Sequence, residues 1–308
     1  MSVNQDFDAS IREAEPMIVE DTPVASPRLG ADSLIWKFYG DSRGILGFQR
    51  LAGTENCIEQ LGQAVLDHSI IFDDFLGRAR RTGPPVMKTV YSTEPQKWGR
   101  TVRDFHRDIK GITPSDGSRY HALNPELFYW AHATFVDQVL YITDTFIRRL
   151  SYAEKVQIFE ESKVWYSLYG VSDRGQPQTY DEFCAYWDDM LARFVPHKTI
   201  VYATGYIRQG LPRPKKIPAP VWAVLSRPLN AFIRTVVVGT LPPQMREVCG
   251  LEWNAKRERN FQRFARGMRG LNPVFNRLPL KWLYVPWAYD AWTAIGVDPR
   301  PLHNKQGA

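Results

Sequence analysis

The 308-residue chain is poor in cysteine: it has three, Cys57, Cys184 and Cys249, far apart from one another. That spacing excludes CxxC pairs and zinc-finger patterns and favours a reduced, cytoplasmic chain. Long apolar runs are also missing. No stretch approaches the ~18 consecutive apolar residues that read as a membrane span. The N-terminus, MSVNQDFDASIREAE, lacks the basic-then-apolar order of a signal peptide. HExxH, GxSxG, a P-loop and a GxGxxG after a strand are all absent, which removes zinc peptidases, α/β-hydrolases and phosphate-loop enzymes from consideration. A di-iron carboxylate bundle needs repeated Glu-x-x-His motifs. Here Glu126 and His132 are six residues apart and no second motif exists. We find no hairpin pair, no βαβ alternation and no internal repeat.

What the chain does have is aromatic residues and an uneven charge. Aromatics make up 13% of the sequence, with ten Trp. That suits a thick helical core and also a large apolar pocket. The net charge is +6. Met1 to Gly30 carries six acids against Arg12 and Arg28, whereas from Arg208 onward seventeen Lys and Arg face five Asp and Glu. A basic end of this kind suits a solvated face, an anionic membrane surface or an acidic ligand. No nucleic-acid motif accompanies it, so nucleic acid is not an expected partner.

The hydrophobic pattern predicts an all-α fold. Residues 1–30 read as an acidic, flexible tail, 31–295 as one helical domain, and 296–308 as a C-terminal tail. A helix is expected over Asn56 to Ala79, broken by Gly83-Pro84-Pro85, and a further one over Glu94 to Lys110. Asn124 and Pro125 open a helix running to about Leu150. Ser151-Tyr-Ala-Glu and Thr179-Tyr-Asp-Glu have capping-box spacing and start two more. Beyond Gly210, twelve of the 22 prolines cut the chain into an extended portion of short helices. Ala219 to Leu225 and Phe232 to Leu241 are its most lipid-like pieces, consistent with a peripheral, surface-lying membrane contact.

Three of the six histidines, His106, His121 and His132, fall in the single stretch Val102 to Leu140. His132 has Phe128, Tyr129, Phe135 and Val136 at helical contact spacing, a greasy slot holding one nitrogen base. Such a residue is a packed core histidine, a proton carrier or a metal ligand such as haem iron accepts. Arg103 and His106 are three apart and would share a helix face with Ile109. Arg78, Arg80 and Arg81 could bind propionates or a phosphate, or simply complement a helix C-terminus. His121, beside Tyr120 in the connection, reads as structural or pocket-edge.

Several segments carry a resemblance. GDSRGIL at Gly40–Leu46, VLDHS at Val65–Ser69, LGRARRT at Leu76–Thr82 and, most specifically, VRDFHRDIKG at Val102–Gly111 followed by YHALNPELFYWAHAT at Tyr120–Thr134 resemble the MpaB-type oxygenase family, related to the rubber oxygenase catalytic domain. SYAEK at Ser151 and LPPQMREVCGLEW at Leu241–Trp253 are weaker echoes. The resemblance implies a globin-like helical fold around haem b, with the histidine of the WxHAT-like motif, His132, as proximal iron ligand and Trp130 beside it. It places Arg103 and His106 where the rubber oxygenase has an Arg-x-x-Lys whose lysine can occupy the distal iron position, so lysine has become histidine here. By the same resemblance Arg103 and His106 are the candidate catalytic pair, and His106 a second candidate iron ligand. Arg78 and Arg81 are candidate propionate partners. The implied activity is O2-dependent cleavage of carbon–carbon double bonds in isoprenoid or other unsaturated, lipid-like substrates. The alternative is a non-catalytic haem- or lipid-binding helical protein at a membrane surface.

Overall fold

A computed structural model of the chain describes residues 29–70 and 75–303. Almost all of the acidic N-terminal segment, and the end of the C-terminal tail, lie outside them. The described residues fold as helices α1 (Leu34–Phe38), α2 (Phe48–Glu55), α3 (Glu59–His68), α4 (Phe75–Tyr91) and α5 (Pro95–Asp104), then strands β1 (Lys110–Ile112) and β2 (Arg119–His121). Helices α6 (Pro125–Ile142), α7 (Tyr152–Ser167), α8 (Tyr180–Ala192), α9 (Lys198–Ala203) and α10 (Gly205–Gln209) follow. The C-terminal portion is α11 (Ala219–Phe232), α12 (Val238–Thr240), α13 (Pro243–Val248), α14 (Ala255–Gly270), α15 (Asn272–Phe275), α16 (Leu280–Leu283) and α17 (Pro286–Ile295).

Helix α6 is the centre of the molecule. Asn124 caps it, its side chain accepting from Glu126 N at 3.0 Å, and Pro125 supplies a helical φ where no N–H is needed. It is apolar on nearly every face, the pattern of a helix with neighbours all round. Leu127, Phe128, Trp130, Val136 and Val139 are all buried. Of its buried polar residues, Asp137 receives two hydrogen bonds from Arg50 on α2, at 2.5 and 2.8 Å, while Arg50 Nη1 donates to the Thr240 carbonyl on α12. One buried guanidinium therefore ties α2, α6 and α12 together. At Ser151 the spacing gives a full capping box, Ser151 and Glu154 bonding reciprocally; at Thr179 only half forms, Thr179 accepting from Glu182 N while Glu182 accepts from Gln178 N.

The GDSRGIL segment is structural. Asp41 chelates the Arg43 guanidinium at 2.6 and 2.8 Å, and Arg43 also donates to Asn272. Gly40 leaves no room for a side chain, because a Cβ there would sit 2.3 Å from Ala288 Cβ.

The structure departs from the sequence reading in five places. The helix expected over Asn56 to Ala79 is interrupted after His68. The Gly83-Pro84-Pro85 triplet does not end a helix but lies inside α4. Proline's fixed φ is compatible with a helix, and packing of α4 against α5 and α17 outweighs the two missing donors. Helix α5 stops at Asp104 instead of reaching Lys110, because β1 begins there and pairs antiparallel with β2, Lys110 opposite His121. That hairpin is the one sheet among the described residues and is too short to show a strand period. The α6 helix gives way at Thr143 to a π-helical turn over Thr143–Ile147. Finally, α11 is not a short piece. It continues through a π-helical turn over Ile233–Val237 into α12, forming a 22-residue rod, Ala219–Thr240, long and apolar enough by length and composition to cross a membrane. Arg227, Pro228 and Arg234 hide it from a search for unbroken apolar runs.

Candidate functional site

His132 sits in the middle of α6 and is 3% exposed. Its Nε2 lies 3.1 Å from the Ser162 carbonyl oxygen on α7. A carbonyl can only accept, so the ring proton is on Nε2 and the lone pair is on Nδ1. Nδ1 is buried and has no hydrogen-bond partner. The ring stands among Trp165, Tyr166 and Tyr169, with centroids 5.2, 5.3 and 5.8 Å away. Burial pushes its pKa down to about 3, and the Ser162 hydrogen bond only partly opposes this. The imidazole is therefore neutral across the physiological range, with an unshared electron pair in an apolar box.

That imidazole is part of the wall of a cavity of about 2110 Å³. Val65 of α3, Val86 and Met87 of α4, and Phe128, Ala131 and Phe135 of α6 line it, and residues of α9 and α10 close it opposite. Tyr169 completes the wall, and burial raises its hydroxyl pKa far above the ordinary tyrosine value, so it stays protonated. A second cavity, about 540 Å³, is rimmed by Asp137, Asp144, Arg149, Lys155 and Arg269 and reaches neither histidine.

His106 lines the same large cavity. It lies just past the end of α5, in a turn where its backbone N donates to the Arg103 carbonyl. Its Nδ1 donates to the Val102 carbonyl at 2.8 Å, which fixes the ring's orientation. The His106 ring meets Phe128 edge-on at 5.6 Å, and Phe128 in turn meets Tyr169 at 5.3 Å. The two imidazoles thus share one cavity with aromatic rings between them.

The other residues read from the sequence are distributed as follows. Arg81 is exposed and lies on the cavity wall beside Thr82 and Gly83. Arg78 is on the same helix, but its side chain lies outside the described part of the structure. Arg103 does not join His106 in the cavity lining. Its guanidinium is held by Asp104 at 2.9–3.0 Å, and the expected shared face is lost because the helix ends between the two residues. Trp130 is fully buried but on the far side of α6, packed on Trp187 at 5.0 Å and Phe194 at 6.1 Å. It is two residues from His132, about 200° round the helix, so it cannot share that wall. His121 is structural: Nδ1 accepts from Leu123 N, fixing the turn into α6. His68 also reaches the cavity, its Nε2 bonded to the Lys110 carbonyl. Among the described residues no group of three or more His, Cys, Asp or Glu could hold a metal ion.

Sequence reasoning missed Ser162, whose contribution is a backbone carbonyl and leaves no side-chain signal. It also missed Tyr169, which the fold brings in from the end of α7.

The class is that of an all-helical protein built around one large aromatic-lined cavity, with His132 and His106 in its wall. The chain belongs to the family described as ER-bound oxygenase mpaB/B'/Rubber oxygenase, catalytic domain, whose family model matches residues 36–270. It is accordingly an oxygenase-family catalytic domain. No curated protein and no solved structure matches it.

Proposed function

We propose that this chain is a haem b-dependent oxygenase that uses O2 to cleave carbon–carbon double bonds in isoprenoid or other unsaturated, lipid-like substrates. The observation that carries the reading is His132: a buried, neutral imidazole with one nitrogen fixed by a backbone carbonyl and the other unpartnered. Metal-ligating histidines are typically held in this way, the acceptor behind the ring setting both tautomer and ring plane. An unpaired buried nitrogen costs stability unless something uses it. Iron at Nδ1 of His132 would satisfy it.

The cavity suits the same reading. Small-molecule clefts usually measure about 300–1,000 Å³. At about 2110 Å³ this one has room for a macrocycle and an elongated apolar chain together. Arg81 at its edge is suited to a propionate, and Arg78 on the same helix is a second candidate. Haem, when bound, supplies one-electron and O2 chemistry that no side chain here can. The protein's own part is to hold an alkene against Phe128, Phe135 and Met87, to exclude water, and to present His106 as a second nitrogen from the end of α5. By the resemblance, His106 stands where the rubber oxygenase has a lysine, and its Nδ1 bond to Val102 orients its Nε2.

The test is spectroscopic. Protein supplied with haem should show a Soret band at one haem per chain, and His132→Ala should abolish it. Failure of the wild type to take up stoichiometric haem overturns the reading. A protein that takes up haem but consumes no O2 with any polyene is the non-catalytic binder.

A further inference from the structure

The rod Ala219–Thr240 is apolar and, over α11, largely exposed. None of the side chains of α11 is fully buried. Val221, Val224, Leu225, Leu229 and Phe232 are all exposed, Val224 at 66%. They fall at i, i+3, i+4, i+8 and i+11, one continuous stripe on a helix. Trp222, Ser226, Asn230 and Ile233 are half-buried and form the inner face. Helices that lie in a membrane interface have this division.

Charge selects the occupant of that stripe. Residues 190–246 contain nine Lys and Arg and not one Asp or Glu. Arg213, Lys215, Lys216, Arg227 and Arg234 are exposed around the rod. A second copy of the chain would set these bases against their own kind. An anionic lipid surface complements both the stripe and its basic border. The rod does not cross the bilayer, because its last residues, Val236 and Val238–Thr240, are buried in the fold and Thr240 carries the Arg50 hydrogen bond.

The stripe also adjoins the cavity. Asn230 of the rod accepts from Leu211 N, and Arg234 donates to the Ile207 and Arg208 carbonyls. Arg208, Leu211 and Pro212 line the cavity, as do Ile45 and Phe48, two exposed apolar residues. The 3-10 segment Ser42–Gly47, which carries Ile45, packs on the rod's π-helical turn.

We propose that α11 lies flat in the headgroup region of an anionic membrane and that the cavity opens beside it onto the same bilayer, so that an apolar ligand passes from lipid to cavity without crossing water. The membrane contact stands on α11 and its charges alone; what passes into the cavity rests on the proposed function.

Co-sedimentation of the full chain with vesicles tests it. Binding should be strong to phosphatidylcholine vesicles containing about a third phosphatidylserine and weak to phosphatidylcholine alone. Val224→Asp, on the exposed stripe, should cut partitioning at least about tenfold, and the pair Lys215→Gln with Lys216→Gln about tenfold or more. Ile45→Asp should also weaken it if the mouth faces the bilayer. Unchanged partitioning in Val224→Asp, or equal binding to neutral and anionic vesicles, overturns the membrane contact. So does a wild-type dimer in sedimentation velocity that Val224→Asp dissociates, which would make the stripe a contact between copies. Release by Val224→Asp with no effect of Ile45→Asp overturns the placement of the mouth. Haem spectra of the same samples separate the two readings: loss of haem uptake with vesicle binding intact overturns only the proposed function.

Discussion

The Nε2–H of His132 donates to the Ser162 carbonyl oxygen across 3.1 Å, from the middle of the buried α6 to the inner face of α7. That contact fixes the tautomer and leaves Nδ1 as the one unpartnered nitrogen of the ring. Everything specific about the candidate site depends on it.

The first consequence is a pH dependence of stability. His132 is held neutral, with a folded-state pKa near 3 against about 6.5 when unfolded. Below pH 6.5 the unfolded chain takes up a proton that the folded chain refuses. Stability therefore falls as pH drops through about 6.5 toward 3, and this histidine adds little slope above about pH 7.5. Between pH 6.5 and 5 the loss from this group is about 2 kcal/mol. Urea unfolding of apo wild type and His132→Phe across that interval should show a shallower dependence in the variant. Parallel slopes would mean the ring is not buried neutral.

A second prediction separates the two sides of the cavity. His106→Ala should keep one haem per chain but shift the ferric Soret maximum, since a second imidazole has left the same cavity. Arg103→Ala should change neither uptake nor spectrum, because its guanidinium is bound to Asp104 and does not reach the lining. A spectral shift in Arg103→Ala, or none in His106→Ala, would reverse these assignments.

A third prediction concerns how His106 is positioned. Gly99 on α5 lies against α7 so closely that a Cβ would fall 2.2 Å from the Leu168 carbonyl oxygen. Backbone cannot give way as a flexible side chain does. Gly99→Ala should cost roughly 1–3 kcal/mol in chemical denaturation, the range for overpacking. It should also disturb the His106 signal more than that of His132, because only α5 is displaced.

These sites show what the sequence could reveal. His132 was legible because helical spacing put four aromatic or apolar neighbours around it, and the caps at Asn124, Ser151 and Thr179 were legible because capping is local chemistry. The position of Trp130 was legible too, since two residues along a helix is nearly the opposite face; only the motif placed it beside His132. Arg103 was not legible in the same way. Its face depended on where α5 ends, and that is set by a hairpin of two three-residue strands with no pattern of its own. Pro84 and Pro85 inside α4 reflect tertiary packing overriding a local breaker. The thiols of Cys57 and Cys249, far apart in sequence, come within hydrogen-bond contact, which no spacing rule could show.

The last prediction concerns the pair that anchors α6. Arg50 and Asp137 are buried, doubly hydrogen-bonded, and stacked on Tyr141, whose ring centre is 3.9 Å from the guanidinium carbon. A buried ion pair need not add net stability, but removing one partner strands the other charge. Arg50→Met should therefore destabilise the fold by about 3–5 kcal/mol, read from urea midpoints at constant m-value. Replacing both residues, Arg50→Met with Asp137→Leu, should recover much of that loss, since no unpaired charge then remains. The double variant is not expected to match wild type, because Arg50 also donates to Thr240 and its loss frees the end of the Ala219–Thr240 rod. If the double variant is no better than Arg50→Met, the cost lies in that rod contact and not in the stranded carboxylate. Vesicle binding by the double variant would then fall together with its stability.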